Sequence, residues 1–128
     1  MDTDKFNIIV LLYMNNTTIQ FFIIGLICTQ LSVTQLKKII HQKRPTGAKS
    51  TSYGMPSKRA GRAFYIVTFL LLLNRSPTLL TKVIYIVYIL GDCGFRYIDN
   101  EHSVVQLLVG GILGILFGCG FYNMSIMQ

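Results

Sequence analysis

Residues 103–122 read SVVQLLVGGILGILFGCGFY, a run of twenty residues without a charged side chain. A helix of this length is about 30 Å long, which matches the hydrocarbon core of a bilayer. Gly110, Gly114 and Gly118 recur at every fourth position, a small-xxx-small pattern that allows close helix contact. The run predicts a membrane-spanning helix whose glycines serve either packing within a bundle or a homo-oligomer.

Further apolar runs lie upstream, at residues 19–40, 63–73 and 78–90, with a shorter run at residues 6–14. The whole chain is 52% apolar and only 13% charged, which leaves too little polar surface to coat a soluble globule. We therefore expect an all-α, multi-pass bundle that forms one membrane domain over residues 1–128. It would have about four transmembrane helices and a short N-terminal apolar segment.

The positive charge of the chain is concentrated between two of these runs. The net charge is +7, eight of the twelve Lys and Arg residues fall between positions 37 and 62, and no acidic residue lies between positions 5 and 91. Such a basic loop, residues 41–60, attracts phosphate through charge-assisted hydrogen bonds. Because apolar runs flank the loop, we expect it to bind lipid phosphate at a membrane and not nucleic acid.

Counting crossings predicts where the polar stretches meet. If the four longer runs each cross the bilayer, then the basic loop, residues 91–101 and the start of the last run emerge on one face. We expect these stretches to form one site. The cysteines Cys28, Cys93 and Cys119 lack C-x-x-C spacing, so we expect no disulfide, metal or other cofactor.

Three short motifs lie at the ends of the apolar runs. Residues 37–45, KKIIHQKRP, fit the pattern K-x6-R-P. Residues 53–59, YGMPSKR, resemble P-S-x-H with Arg59 in place of the histidine, and residues 95–106, FRYIDNEHSVVQ, resemble S-R-x5-H-x3-D without its serine and aspartate. In this order, over residues 30–118, the motifs resemble those of the type 2 phosphatidic acid phosphatase superfamily. The second is most similar to the Y-G-M-P-S-S-H form of dolichyl diphosphate phosphatases.

The resemblance implies a role for each matching residue. In this family a histidine of the third motif attacks phosphorus, a carboxylate orients it, and a histidine of the second motif protonates the leaving group. His102 is then the nucleophile candidate, Gln106 the orienting candidate, and Arg59 replaces the general acid. The phosphate-binding candidates are Lys37, Arg44, Ser57 and Arg96. The resemblance alone suggests the membrane of the endoplasmic reticulum.

The departures from the motifs leave three functions open. Arg59 cannot be a general acid because a guanidinium stays protonated at any working pH. The preferred interpretation is a degenerate, inactive member that binds lipid phosphate or diphosphate, in other words a pseudoenzyme. The alternatives are a weak polyprenyl diphosphatase using His102, and a small channel-forming or membrane-scaffold protein. Asp99 and Glu101 could substitute for the carboxylate, but the simpler interpretation places both in a solvated polar loop.

Overall fold

The computed structural model describes residues 16–49, 53–74 and 76–127. Its regular structure over these residues is helical, which confirms the all-α prediction. Four helices follow one another: α1 (Asn16–Ile40), α2 (Lys58–Leu73), α3 (Leu79–Ile98) and α4 (Val104–Ile126). The expected apolar segment at residues 6–14 lies outside the described residues.

All four helices are longer than the apolar runs that predicted them, and α2 and α3 are extended most. α2 begins at Lys58 and not at residue 63, because Oγ of Ser57 accepts a hydrogen bond from the Ala60 N–H at 3.2 Å and caps the first turn. α3 continues to Ile98, so most of the polar stretch 91–101 is helical. Two glycines inside that stretch do not end the helix, since glycine is only about 1 kcal/mol worse than alanine there.

α4 packs tightly against α2 through its glycines. A Cβ on Gly114 would collide with the carbonyl oxygen of Gly61 and lie 2.8 Å from the backbone nitrogen of Tyr65. Gly110 lies against the backbone of Ser57, the N-cap of α2, and Gly118 lies against Thr68 within that helix. The predicted close packing is therefore intramolecular. A homo-oligomer through these three glycines stays a prediction, and α2 of the same chain already covers that face.

An aromatic cluster joins α1 to this pair. The Tyr65 hydroxyl donates a hydrogen bond to the carbonyl oxygen of Phe22 at 2.8 Å, and the rings of Phe69 and Tyr122 meet edge to face with centroids 5.6 Å apart. Tyr65 and Phe69 are fully buried. Thus α1, α2 and α4 form a three-helix unit. α3 has α2 as its main neighbour, and none of its described residues is buried.

Among the described residues, two helices are long and apolar enough to cross a membrane. α1 has 25 residues with a mean hydropathy of 1.6, and α4 has 23 residues with a mean hydropathy of 2.2. Only 17% and 28% of their most apolar windows are buried inside the protein. Helices of a soluble core would hide such residues, whereas here side chains such as Leu31 and Leu116 face outward. These helices support membrane association.

Candidate functional site

A tight turn between α3 and α4 places His102 at the centre of the site. The carbonyl oxygen of Arg96 accepts the N–H groups of both Glu101 and His102, at 2.9 and 3.2 Å. Asn100 adopts a left-handed φ of 59°, which asparagine tolerates better than most residues. The turn ends α3 and buries His102, whose exposed fraction is 2%.

Gln106 ties the start of α4 to the basic loop. Its Oε1 accepts the Ser103 N–H at 3.1 Å, and its Nε2 donates to Oε1 of Gln42 at 2.8 Å and to the Lys43 carbonyl at 2.9 Å. Ser103 thus occupies one lone pair of the oxygen through which Gln106, the orienting candidate, would accept an imidazole N–H of His102. Nδ1 of His102 is buried with no hydrogen-bond partner among the described residues. Gln106, which stands where the third motif has a carboxylate, therefore links the start of α4 to the basic loop.

Arg44 brings the first motif to the third. Its Nη1 lies 2.9 Å from the Glu101 carbonyl oxygen, 3.2 Å from Glu101 Oε2 and 3.3 Å from His102 Nε2. The Arg44 and Glu101 side chains are each only 7% exposed. Glu101 is therefore a buried partner of the basic loop, and its expected place in a solvated loop is wrong. Asp99, the other carboxylate considered, is exposed.

The surroundings of His102 favour its neutral form. Burial lowers the pKa of His102 from 6.5 to about 4, and the positive charges of Arg44 and Lys37 act in the same direction. The neighbouring Gln106 amide opposes this shift in pKa, although no hydrogen bond of acceptable geometry joins the two side chains. The imidazole is thus uncharged at neutral pH and carries a lone pair on one nitrogen.

A pocket of about 330 Å³ opens beside His102, and we call it the cationic pocket. Its lining combines one amide and one imidazole with six cationic side chains from three helices and the basic loop. These residues are Gln30, Lys37, Arg44, Lys58, Arg59, Arg62, Arg96 and His102. No carboxylate lines it among the described residues. Its volume falls within the range of small-ligand sites, and its charge suits a polyanion.

Arg59 lines the cationic pocket and shares a carboxylate partner with Arg62. Its Nη1 is 3.5 Å from Oδ1 of Asp92, and Nη2 of Arg62 is 3.4 Å from Oδ2 of the same carboxylate. The arginine side chains are 46% and 42% exposed, so these ion pairs contribute little to stability. The sequence motifs did not single out Asp92. It is the only acidic residue in α3, a signal that could have paired it with the basic start of α2.

The structure brings most of the predicted site residues together. Lys37, Arg44, Arg59, Arg96 and His102 all line the cationic pocket. Two others lie behind it. Ser57 is fully buried, caps α2 and donates its N–H to the Gln106 carbonyl at 3.0 Å, so neither Ser57 nor Gln106 lines the pocket. The sequence motifs missed Gln30, Lys58 and Arg62 as lining residues, because only the fold shows which face of a helix points inward.

The expected convergence of the three polar stretches is therefore observed. Arg44 of the basic loop contacts Glu101 and His102, and Gln106 at the start of α4 holds the same loop. Beyond the geometry, a family model described as the PAP2 superfamily matches residues 17–128, which include all three motifs and the whole pocket lining. No curated protein and no solved structure matches the chain. Because the match spans most of the sequence, the chain belongs to the PAP2 superfamily, which supports a phosphatase-like function on lipid phosphate.

Proposed function

We propose that this protein is a multi-pass membrane protein that binds the phosphate or diphosphate group of a lipid in its cationic pocket. One observation carries the proposal: six cationic side chains converge on a pocket beside His102 with no lining carboxylate among the described residues. Hydrogen bonds between guanidinium or ammonium groups and phosphate oxygens are roughly twice as strong as neutral ones. Phosphate binding needs only these cations, and they are in place.

Rapid hydrolysis needs groups that are changed here. Nδ1 of His102 has no described partner to orient the ring, and Arg59 cannot give a proton to a leaving group. Loss of general acid catalysis alone typically costs about 10²- to 10⁴-fold in rate. We therefore infer a degenerate member that still binds its ligand but has lost rapid hydrolysis. The glycines of α4 pack against α2 of the same chain, which speaks against the channel-forming alternative.

A weak diphosphatase is the second candidate, because His102 lines the cationic pocket with an uncharged imidazole. A phosphate leaving from a diphosphate is already stable as an anion, since its conjugate acid has a pKa of about 6. A polyprenyl diphosphate of the dolichyl type would then tolerate Arg59 better than a phosphate monoester. The measurement is phosphate release from both substrates, and His102→Ala should abolish any release from the diphosphate.

The same proposal includes the membrane arrangement. All four helices would span, with α2 the shortest at 16 residues, about 24 Å, and α3 at 20 residues. The cationic pocket then faces the headgroups on one side. A location in the endoplasmic reticulum rests only on the similarity of residues 53–59 to dolichyl-type phosphatases.

Two adjacent lysines provide a matched test of the binding site. Lys37 lines the cationic pocket, whereas Lys38 is exposed and does not line it. In nanodiscs, Lys37→Ala should weaken binding of a polyprenyl diphosphate about tenfold or more, and Lys38→Ala should leave it nearly unchanged, since a charge-assisted contact contributes about 1.5–3 kcal/mol. Equal effects of the two variants would mean that the loop attracts anionic lipid only by its overall charge.

A further inference from the structure

Glu101 is the least exposed of the three acidic side chains that the structure describes. Its Oε2 pairs with Nη1 of Arg44 at 3.2 Å, and its Oε1 accepts the backbone N–H of Lys49 at 3.0 Å. Its own carbonyl oxygen accepts a second hydrogen bond from Arg44, at 2.9 Å. The residue therefore holds both the guanidinium and the chain of the basic loop against the turn before α4.

The same guanidinium reaches the imidazole. Nη1 of Arg44 lies 3.3 Å from Nε2 of His102. Because a guanidinium has donors only, Nε2 must be the acceptor in this contact, and a neutral ring then carries its proton on Nδ1. Which nitrogen of a histidine is protonated is set by the hydrogen bond that the other nitrogen makes. Nδ1 has no hydrogen-bond partner among the described residues, so the contact at Nε2 favours the tautomer that carries the proton on Nδ1.

We propose that Glu101 is a positioning residue for His102. It holds Arg44 against Nε2 of the imidazole, which keeps the ring proton on Nδ1. The guanidinium N–H of Arg44 then covers the lone pair of Nε2 until a phosphate oxygen accepts that N–H instead. Glu101 would thus act through Arg44 where other members use a carboxylate at the position of Gln106. The tautomer is a property of the empty site. The exchange with phosphate rests on the proposed function.

The exchange follows from the relative strength of the acceptors. A phosphate oxygen bears negative charge and an imidazole nitrogen does not, so a bound phosphate competes well for Nη1 of Arg44. Arg44 has the means to keep its ion pair with Glu101 while turning, because its guanidinium has five N–H groups. The lone pair on Nε2 is then released toward the cationic pocket only when a phosphate is present.

Nitrogen NMR of the histidine ring tests the tautomer directly. The chain has two histidines, so a His41→Gln background in detergent micelles leaves one labelled imidazole. We expect the ligand-free protein to show a protonated Nδ1 and an unprotonated Nε2. Glu101→Gln should shift the ring toward the Nε2–H form, which a free imidazole side chain prefers. As a control, Asp99→Asn removes a negative charge from an exposed residue two positions before Glu101, and it should leave the tautomer of His102 unchanged.

The unsubstituted site keeps the proposal testable even if Glu101→Gln does not fold. A protonated Nε2 in the ligand-free protein would overturn it, as would an unchanged tautomer in folded Glu101→Gln. Adding inorganic pyrophosphate to the protein with Glu101 intact should shift the Nε2 resonance as Arg44 leaves. If ³¹P line broadening shows binding while Nε2 does not shift, the exchange is wrong. If no binding occurs but the Nδ1–H tautomer is present, the proposed function fails and the positioning of His102 stands.

Discussion

At the residue scale, Gly54 shows how closely the basic loop fits the site. Its N–H donates to the Gln42 carbonyl at 2.9 Å, and a Cβ there would lie 2.6 Å from Oε1 of Gln106 and 2.9 Å from Cγ of Arg44. Neither Gln106 nor Arg44 can move away without breaking the hydrogen bonds that hold its side chain in position. A side chain at this position therefore disturbs the pocket before it disturbs the helices.

We expect Gly54→Ala to weaken diphosphate binding at least tenfold while helical circular dichroism stays unchanged. The displaced group is either Gln106 or Arg44, and each holds the loop in place. Gly94→Ala is the matched control, because a Cβ there meets nothing within 4 Å. Normal binding by Gly54→Ala would show that the loop is free to move without loss of the site.

The protonation of His102 predicts how stability depends on pH. Its pKa is about 4 in the folded protein, whereas an ordinary histidine, as in the unfolded chain, has a pKa of 6.5. Between these values the unfolded chain binds more protons, so stability is fully present above pH 6.5 and falls as the pH drops toward 4. Thermal unfolding in detergent should show a smaller loss over this range in His102→Gln than in the unsubstituted protein. If both proteins lost the same stability between pH 6.5 and pH 4, the buried and neutral imidazole of His102 would be contradicted.

At the element scale, the seam between α2 and α4 is the tightest contact of the fold. Gly114→Ala places a methyl group against the backbone of Gly61 and Tyr65, where no flexible side chain can move away. Overpacking of this kind costs about 1–3 kcal/mol. We expect the apparent Tm to fall by several degrees, whereas Gly120→Ala, with nothing within 4 Å of its Cβ, should leave it unchanged. Equal Tm values for the two variants would contradict a tight contact between α2 and α4.

The elements also show what the sequence could and could not predict. The helical class, the glycine contact and the convergence of the three motifs follow from composition, spacing and the direction of successive runs. The length of α3 did not follow, because a polar stretch with two glycines is typical of a loop, whereas the backbone here stays helical to Ile98 and turns only at Asn100. The actual partners of Gln106 and Glu101 depend on where the basic loop returns, which no local pattern encodes.

At the scale of the whole molecule, the helix order places the two loops of α2 at opposite ends. The cationic pocket lies at the Lys58 end of α2, and the turn after Leu73 lies about 24 Å away. If the bundle spans a membrane, residues 49 and 76 should therefore face opposite sides. Both positions lie outside the helices, where a substituted side chain can be reached by a reagent.

Single cysteines test this arrangement. After replacement of Cys28, Cys93 and Cys119, the variants Lys49→Cys and Ser76→Cys should react with a membrane-impermeant maleimide from opposite sides of sealed vesicles. Opening the vesicles with detergent should make both react, which controls for accessibility. Labelling of both from the same side of intact vesicles would contradict a spanning α2.

The central claim concerns the whole molecule: the protein holds a lipid diphosphate without turning it over rapidly. The most direct test uses polyprenyl diphosphate labelled with ³²P on its terminal phosphate, and measures label retained by the protein and label released as phosphate in the same sample. We predict saturable retention with little release, and faster release from Arg59→His than from Arg62→His, since only the former restores a titratable acid at the motif position. Rapid release by the unsubstituted protein, or no retention above that of Lys37→Ala, would contradict the claim.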